Sequence, residues 1–439
     1  IRSGRRVLAS VSVEMGERVD PVSLYDQAAG VRALWLQPAD GLAMVSIGSA
    51  ACIEGSGEGR FRAALARWSA MAHDALADPG GAPIEPPVAF GGFAFDEARG
   101  DASEFPGYRL TVPRVLFTSL KGSDWLTLTG MVDKSTRVED EVTRFERELD
   151  GVERLGPTGG VETGGAVCPP EEDDRAQWET SVRSAIEAIK GGRLEKVVLA
   201  RVVRVTGEPE INIAAVLRRL AQRFRSCTIF AFDVGDGCFV GATPERLLRI
   251  QDGVVTVDCL AGSIGRGMDE AEDGRQASRL LHDPKELHEH AVVASALREA
   301  LEPLCADLSV PATPRIATFP NVHHLYTPIS GTALPGHEVL EFVERLHPTP
   351  ATGGQPREAA LPLIRELESF DRGWYAGPVG WLDAAGNGDF AVAIRSALIE
   401  GNEAMLYAGS GIVAESEPSR EYDETNVKLK AMLWALGQE

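Results

Sequence analysis

The stretch 419–430 reads SREYDETNVKLK and packs acids and bases into one helical-looking segment. Glu421, Glu424 and Lys428 stand at i, i+3 and i+7, which puts two carboxylates and an ammonium on one helix face. A second stretch, KELHEH at 285–290, sets Glu286 and Glu289 at i, i+3. Four carboxylates on two helices suit a hard cation such as Mg2+, which takes oxygen ligands and keeps some of its waters. Taken alone, either pair is more often the solvated face of an amphipathic helix. A di-iron bundle wants Glu-x-x-His on two helices, and neither pair has one.

Three single residues add to this. Read as one strand, DFAVAIRSALI puts Ala391, Ala393, Arg395 and Ala397 on one face, with Phe390, Val392, Ile394, Ser396 and Leu398 on a core face. Alanines leave room beside the Arg395 guanidinium, and a bidentate carboxylate, from a ligand or from a protein acid, fits there. Lys196 begins the run KVVLARVVRV and shares a face with Val198, Ala200 and Val202. Apolar surroundings disfavour an ammonium, which is how a lysine becomes a general base near neutral pH. A strand-end lysine reaching solvent is the plainer use. Glu245, in VGATPERLLRI, follows a small-residue turn and Pro244. A carboxyl in a tight apolar setting can keep its proton and act as an acid, although turn glutamates are usually solvated. The glycine-rich runs LAGSIGRG (260–267) and YAGSGIV (407–413) are neither a dinucleotide fingerprint nor a P-loop. Their backbone N–H groups can hold a carboxylate or hydroxyls, though structural turns are commoner.

These residues need a frame. Trp178, Val182, Ala185, Ile186 and Ile189 repeat at helical spacing, and Gly191–Gly192 stops the helix. The β-branched run 195–205 predicts a strand, as do CTIFAFD, CFVGAT, RLLRIQ, VVTVDCLAGS, GPVGWLD and AMLYAGSGIV. One long helical region is expected over 269–304, with helices near 337–345, after Pro356 and at the end of the chain. The N-terminal part shows strand-like ALWLQ and WLTLTGMV, a helical run at 58–78, and the apolar FGGFAFD at 90–96. Strands and helices succeed one another without regular alternation, so the fold class is α+β with antiparallel sheets. Residues 156–174, GPTGGVETGGAVCPPEEDD, read as an exposed linker between an N-terminal subregion (1–155) and a C-terminal part (175–439).

Bulk properties narrow the class. The 439 residues are 44% hydrophobic and 25% charged, ordinary for a soluble globular protein. No apolar run reaches membrane-spanning length, and the N-terminus reads as mature sequence entering a strand, not as a signal peptide. Six scattered cysteines without a CxxC pair point to reduced thiols in a cytoplasm. A net charge of −21 repels nucleic acid and anionic membranes, so any anionic ligand needs a local cluster of bases or a metal.

From Trp178 onward the ordered motifs KVVLAR, GATPERLL, LAGSIGRG, KELHEH, LHPTPATGG, FDRGWYAGPVGW, IRSAL, YAGSGIV and SREYDETNVKLK resemble the chorismate-utilising enzymes. FGGFAFD extends the resemblance into the N-terminal part. The resemblance implies one domain over 1–439: an α/β sandwich of two large antiparallel sheets packed face to face, helices outside, with 156–174 a surface loop. It implies chorismate as substrate and Mg2+ as cofactor. Glu289 and Glu424 match the direct metal ligands, while Glu286 and Glu421 hold metal-bound waters. Lys196 matches the family's base and Glu245 its acid. Arg395 and Tyr375 match residues that hold the pyruvyl carboxylate. Lys428, with backbone near Gly409 and Gly411, matches the site of the ring carboxylate, and the Ala261–Gly262–Ser263 turn also faces substrate. His324 positions the ring; His347 and Thr349 lie in matching segments. Lysine at 196 and alanine at 261 speak against the amine-forming branches. LHPTPA and FDRGWYAGPVGW look like the isochorismate-forming branch, with water as nucleophile, for menaquinone or for catechol siderophores, menaquinone being preferred. Thr352–Gly353 falls where subfamilies vary, so pyruvate elimination to salicylate is the nearest alternative. A monomer without an amidotransferase subunit is expected.

Overall fold

Short apolar strands cannot hide both faces alone, so they pair into sheets and the sheets stack. The computed structural model describes residues 6–16, 18–98, 105–153, 175–319 and 322–438. The expected linker at 156–174 lies outside the described residues. Among these, 12 strands form one sheet and the main path of the other holds nine, with Arg315–Thr318 pairing off that path to make its 10. Every strand pairing is antiparallel except that of Val7–Glu14 with Leu76–Asp78. Both sheets draw strands from either side of the linker. Arg32–Gln37 pairs with Thr228–Val234 in the larger sheet, and Val88–Phe93 pairs with Pro378–Asp383 in the smaller.

The inner faces meet over one core containing Trp35, Phe230 and Phe239 from the larger sheet and Phe90, Val379 and Ala391 from the smaller. The outer face of the larger sheet is covered by helices Pro21–Gln27, Ile213–Arg223 and Pro418–Ala435. That of the smaller sheet is covered by Arg60–His73, Pro284–Leu301 and Val339–Leu346. This is the expected α+β sandwich with helices outside.

Several element boundaries differ from expectation. The run at 58–78 is a helix only over Arg60–His73, followed by the edge strand Leu76–Asp78. The region 269–304 is two helices, Glu270–His282 and Pro284–Leu301. Asp283 ends the first and caps the second through the N–H groups of Lys285 and Glu286, with Pro284 entering the new helix. DFAVAIRSALI is not one strand. Gly388–Val392 belongs to the smaller sheet and Ser396–Glu400 to the larger, and the chain crosses between them at 393–395. The face pattern therefore breaks at the crossing: Ala391 and Ala393 lie in the inter-sheet core, whereas Ala397 packs under the outer helices.

Candidate active site

The crossing has a partner. Gly237–Thr243 lies in the larger sheet and Arg246–Gln251 in the smaller, so the chain also changes sheets at Pro244–Glu245. The two crossings lie side by side and pin each other. Val392 N–H donates to Glu245 O (3.0 Å), Ala242 N–H donates to Arg395 O (3.1 Å), and the Thr243 hydroxyl donates to Val392 O (2.7 Å). Arg395 takes up a positive φ of 54°, a left-handed conformation just before the strand Ser396–Glu400 begins. The crossing also uncovers a neighbour. Ser396–Glu400 pairs with Glu403–Ile412 only as far as Leu406, so from Tyr407 onward that side is uncovered, while the other side stays paired with the Lys196 strand. Gly409 O on this stretch accepts from Lys428 Nζ at 2.8 Å.

The sheets part here around a cleft of about 650 Å3. Lys196, Glu245, Arg395 and Tyr375 line it, as do Gly409, Gly411 and Lys428. Ala261, Gly262, Ser263 and His324 form another wall, and Glu286, Glu289, Glu421 and Glu424 stand toward the two helices. Every candidate contact residue and metal ligand named from the sequence therefore faces one space. His347 and Thr349 do not line it. The His347 imidazole is buried and donates to Phe95 O at 2.9 Å, tying the turn it begins to FGGFAFD.

Glu286 and Glu421 sit in the first turns of their helices, where the helix dipole favours negative charge, and Glu289 and Glu424 follow one turn later. Buried His290, Val293, Leu297 and Leu301 dock one helix against the smaller sheet. The His290 Nδ1–H donates to Ala261 O (3.0 Å) and Nε2 lies 2.7 Å from the Thr327 hydroxyl, which fixes the helix register beneath Glu286 and Glu289. Thr425, Leu429, Met432 and Ala435 dock the other helix, and Arg201 donates to Thr425 Oγ1 at 2.7 Å, linking it to the Lys196 strand.

Gly262, at φ +77°, is the extra residue of a bulge between Ala261 and Ser263. The bulge turns Ser263 N–H to Glu286 Oε2 (2.9 Å) and sets the Ser263 hydroxyl 2.6 Å from His324 Nδ1. Burial, with Arg395 and Lys428 nearby, drops His324 to about 4, so its ring is neutral.

Electrostatics separate the acids. Glu245 is pushed up to about 7 by burial, which outweighs Arg395, Lys196 and Lys428 together. Burial raises Glu286, and the Glu289 charge adds to this against the Ser263 N–H. Burial also works to raise Glu424, but the Lys428 ammonium reverses the sign and leaves it lowered. Burial lowers Lys428 and raises Tyr375 to about 12, so the phenol keeps its proton. Burial likewise lowers Arg395, and among the described residues no carboxylate pairs with it.

One expectation is corrected. Lys196 does not lie among apolar chains alone: its Nζ forms an ion pair with Glu289 Oε1 at 2.6 Å. The strand alternation that set Lys196 beside Val198 says nothing of the helix that approaches from the smaller sheet. Glu424 mirrors the arrangement, 2.6 Å from Lys428 Nζ. Among the described residues no three His, Cys, Asp or Glu side chains are already gathered as a metal cluster.

The sequence reading passed over Arg372 and Glu368, whose side chains are only 3% and 4% exposed. The two-residue strand Gly354–Gln355 covers the Lys196 strand only at Lys196 and Val197. Beyond it, Arg372 Nη2 donates to Val198 O (2.7 Å) and Glu368 Oε1 accepts from Ala200 N–H (2.7 Å). The ion pair thus stands in for a missing strand and holds straight the strand that presents Lys196. FDRGW contained the arginine, but the helix ends at Leu367, so no helical spacing linked the pair. Tyr407, stacked on Tyr375 with centroids 5.1 Å apart, was likewise passed over.

Gly411 yields a direct prediction. A Cβ there would lie 2.8 Å from Lys196 Cε and 3.4 Å from Nζ. Gly411→Ala should displace the amine while leaving thermal unfolding near that of the parent, because only the end of a flexible chain must move. A loss of about 10²-fold in kcat is the expected outcome.

A family model described as chorismate binding enzyme matches residues 1–437. The isochorismate synthase MenF of Bacillus subtilis is 37% identical over 99% of this chain and 94% of its own length. The salicylate biosynthesis isochorismate synthase of Pseudomonas aeruginosa is 37% identical over 98% of this chain and 90% of its own. In fold, the menaquinone-specific isochorismate synthase MenF from Escherichia coli superposes with a TM-score of 0.82 at 24% identity, covering 99% of this chain and 96% of that one. Matched in this way along nearly its whole length, the chain belongs to the chorismate-binding enzyme family.

Proposed function

We propose that the protein is an isochorismate synthase, adding water at C2 of chorismate and expelling the C4 hydroxyl with a shift of the double bonds. The observation that carries this reading is Lys196 sharing a cleft with Glu245, a carboxyl pushed up to about 7. An acid that keeps its proton near neutrality can protonate a poor leaving group, and an amine in the same cleft can take a proton from the attacking water. Arg395, without a protein carboxylate among the described residues, accepts the pyruvyl carboxylate together with the protonated Tyr375 hydroxyl. Lys428 and the uncovered edge at Gly409 and Gly411 receive the ring carboxylate. Neutral His324, backed by Ser263, and the Ala261–Gly262 bulge position the ring.

Mg2+ is the proposed cofactor. The donor set fits a hard cation, since four carboxylates face the cleft and His290 is turned away to Ala261 and Thr327. Glu289 and Glu424 would hold the ion directly, Glu286 and Glu421 through waters. When bound, it offsets carboxylate charge in a chain of net charge −21. Residues 1–155 are proposed to belong to the same single domain. No helix among the described residues is long and apolar enough to cross a membrane, and the described cysteines are free. A cytoplasmic monomer acting without an amidotransferase subunit is proposed. Menaquinone supply is the proposed destination: the Bacillus subtilis relative carries the name MenF, which the menaquinone-specific enzyme of Escherichia coli shares.

Chromatography of products from chorismate tests the reading. Isochorismate should form with Mg2+ and cease with a chelator. Salicylate fluorescence would instead indicate pyruvate elimination, and an ammonia-dependent amine would indicate the amine-forming branch.

A further inference from the structure

Two ion pairs in the cleft are alike. Lys196 Nζ lies 2.6 Å from Glu289 Oε1, and Lys428 Nζ lies 2.6 Å from Glu424 Oε1. One carboxylate comes from each acid-bearing helix, and they are the two assigned here as direct metal ligands. The second is an i,i+4 pair within one helix, whereas the first joins two separate elements. Lys196 comes from the start of a strand of the larger sheet, while Glu289 comes from a helix on the smaller sheet. Glu286 and Glu421 are held differently: Ser263 N–H donates to the first and the Ser410 hydroxyl to the second. Only the proposed direct ligands carry ammoniums.

We propose that Lys196 and Lys428 are internal placeholders for the metal ion: in the metal-free protein they occupy the carboxylates of Glu289 and Glu424, and the cation binds by displacing them. The inference rests on the metal site of the proposed function. The physical reason is that carboxylates brought together around a cleft repel one another and need countercharge. Part of the metal's binding energy is then consumed in breaking two existing pairs. The affinity of the free protein for Mg2+ is set below what its four acids would give alone. A substrate carboxylate that takes up the released Lys428 ammonium raises it, since linkage makes the two bindings reciprocal.

Isothermal titration of the full chain with Mg2+ alone, no substrate present, tests this without turnover. Lys196→Met and Lys428→Met should each bind Mg2+ about tenfold more tightly than the parent, the loss of a competing half-buried pair. Lys285→Met is the control. Lys285 lines the same cleft on the Glu286 helix but is paired with neither carboxylate. Its removal should change the affinity by about twofold or less, through screened charge alone. Glu289→Gln should greatly weaken binding in every background. Equal tightening by Lys285→Met, or none by either of the other two, would overturn the placeholder role while leaving the metal site intact. Mg2+ binding indifferent to Glu289→Gln would overturn the metal site itself, and the placeholder role with it. Thermal unfolding of each variant confirms that folded protein is compared.

Discussion

Glu245→Gln is expected to lower kcat for isochorismate formation by about 10²–10⁴-fold, the range of general acid catalysis, with substrate affinity little changed. Glutamine keeps the shape of the side chain and loses the proton that the leaving hydroxyl needs. The parent should show the matching pH dependence. Its carboxyl sits at about 7, so the competent protonated form is depleted as pH rises through that value and kcat/KM falls on the alkaline side. Stability follows the same sign. Unfolded, the group loses its proton near about 4.3, while folded it keeps it to about 7. Between those values the unfolded state binds fewer protons, so stability declines as pH rises. Glu245→Gln removes this component, and its thermal unfolding should gain on the parent at about pH 8 relative to about pH 5. A turnover rate near that of the parent would assign the proton to another group.

Lys196→Ala is expected to abolish isochorismate formation, with a loss of about 10²–10⁴-fold in kcat, while chorismate still binds in the presence of Mg2+. Lys196 is the only lysine paired with Glu289 among the described residues, and Lys428 is engaged with Glu424 and Gly409 O. Lys428 therefore does not substitute for it. Calorimetric binding of chorismate to the variant separates loss of chemistry from loss of the site. Loss of binding in step with turnover would make Lys196 a substrate anchor, and retained turnover would remove it from the chemistry. Lys196→Ala and Gly411→Ala probe the same atom in different ways. The first deletes the amine and the second pushes it aside, so the larger loss belongs to the first.

Helical and strand periodicity exposed much of the frame because it is local. The helix through Trp178 and Ile189 and the strand from Lys196 appear where spacing places them, at Arg175–Lys190 and Lys196–Thr206. Periodicity failed where the chain changes partners. DFAVAIRSALI has an unbroken apolar pattern, yet it belongs to two sheets, and Arg395 enters the cleft from the crossing and not from a strand face. The run 269–304 failed for a different reason: Asp283–Pro284 is itself a legible cap, outweighed in the reading by helical composition on both sides.

The sequence by itself determined which side chains carry the chemistry and on which elements they ride, because i, i+3 spacing fixes Glu286 with Glu289 and Glu421 with Glu424 on their own helices. Only the tertiary structure decided how those groups meet. Lys196 and Glu289 are 93 residues apart in the chain, and nothing local to either shows that a strand of one sheet and a helix on the other bring them to 2.6 Å. Likewise the burial that holds a proton on Glu245 against three nearby cations comes from two sheets closing around paired crossings, a property of packing that no stretch of residues contains.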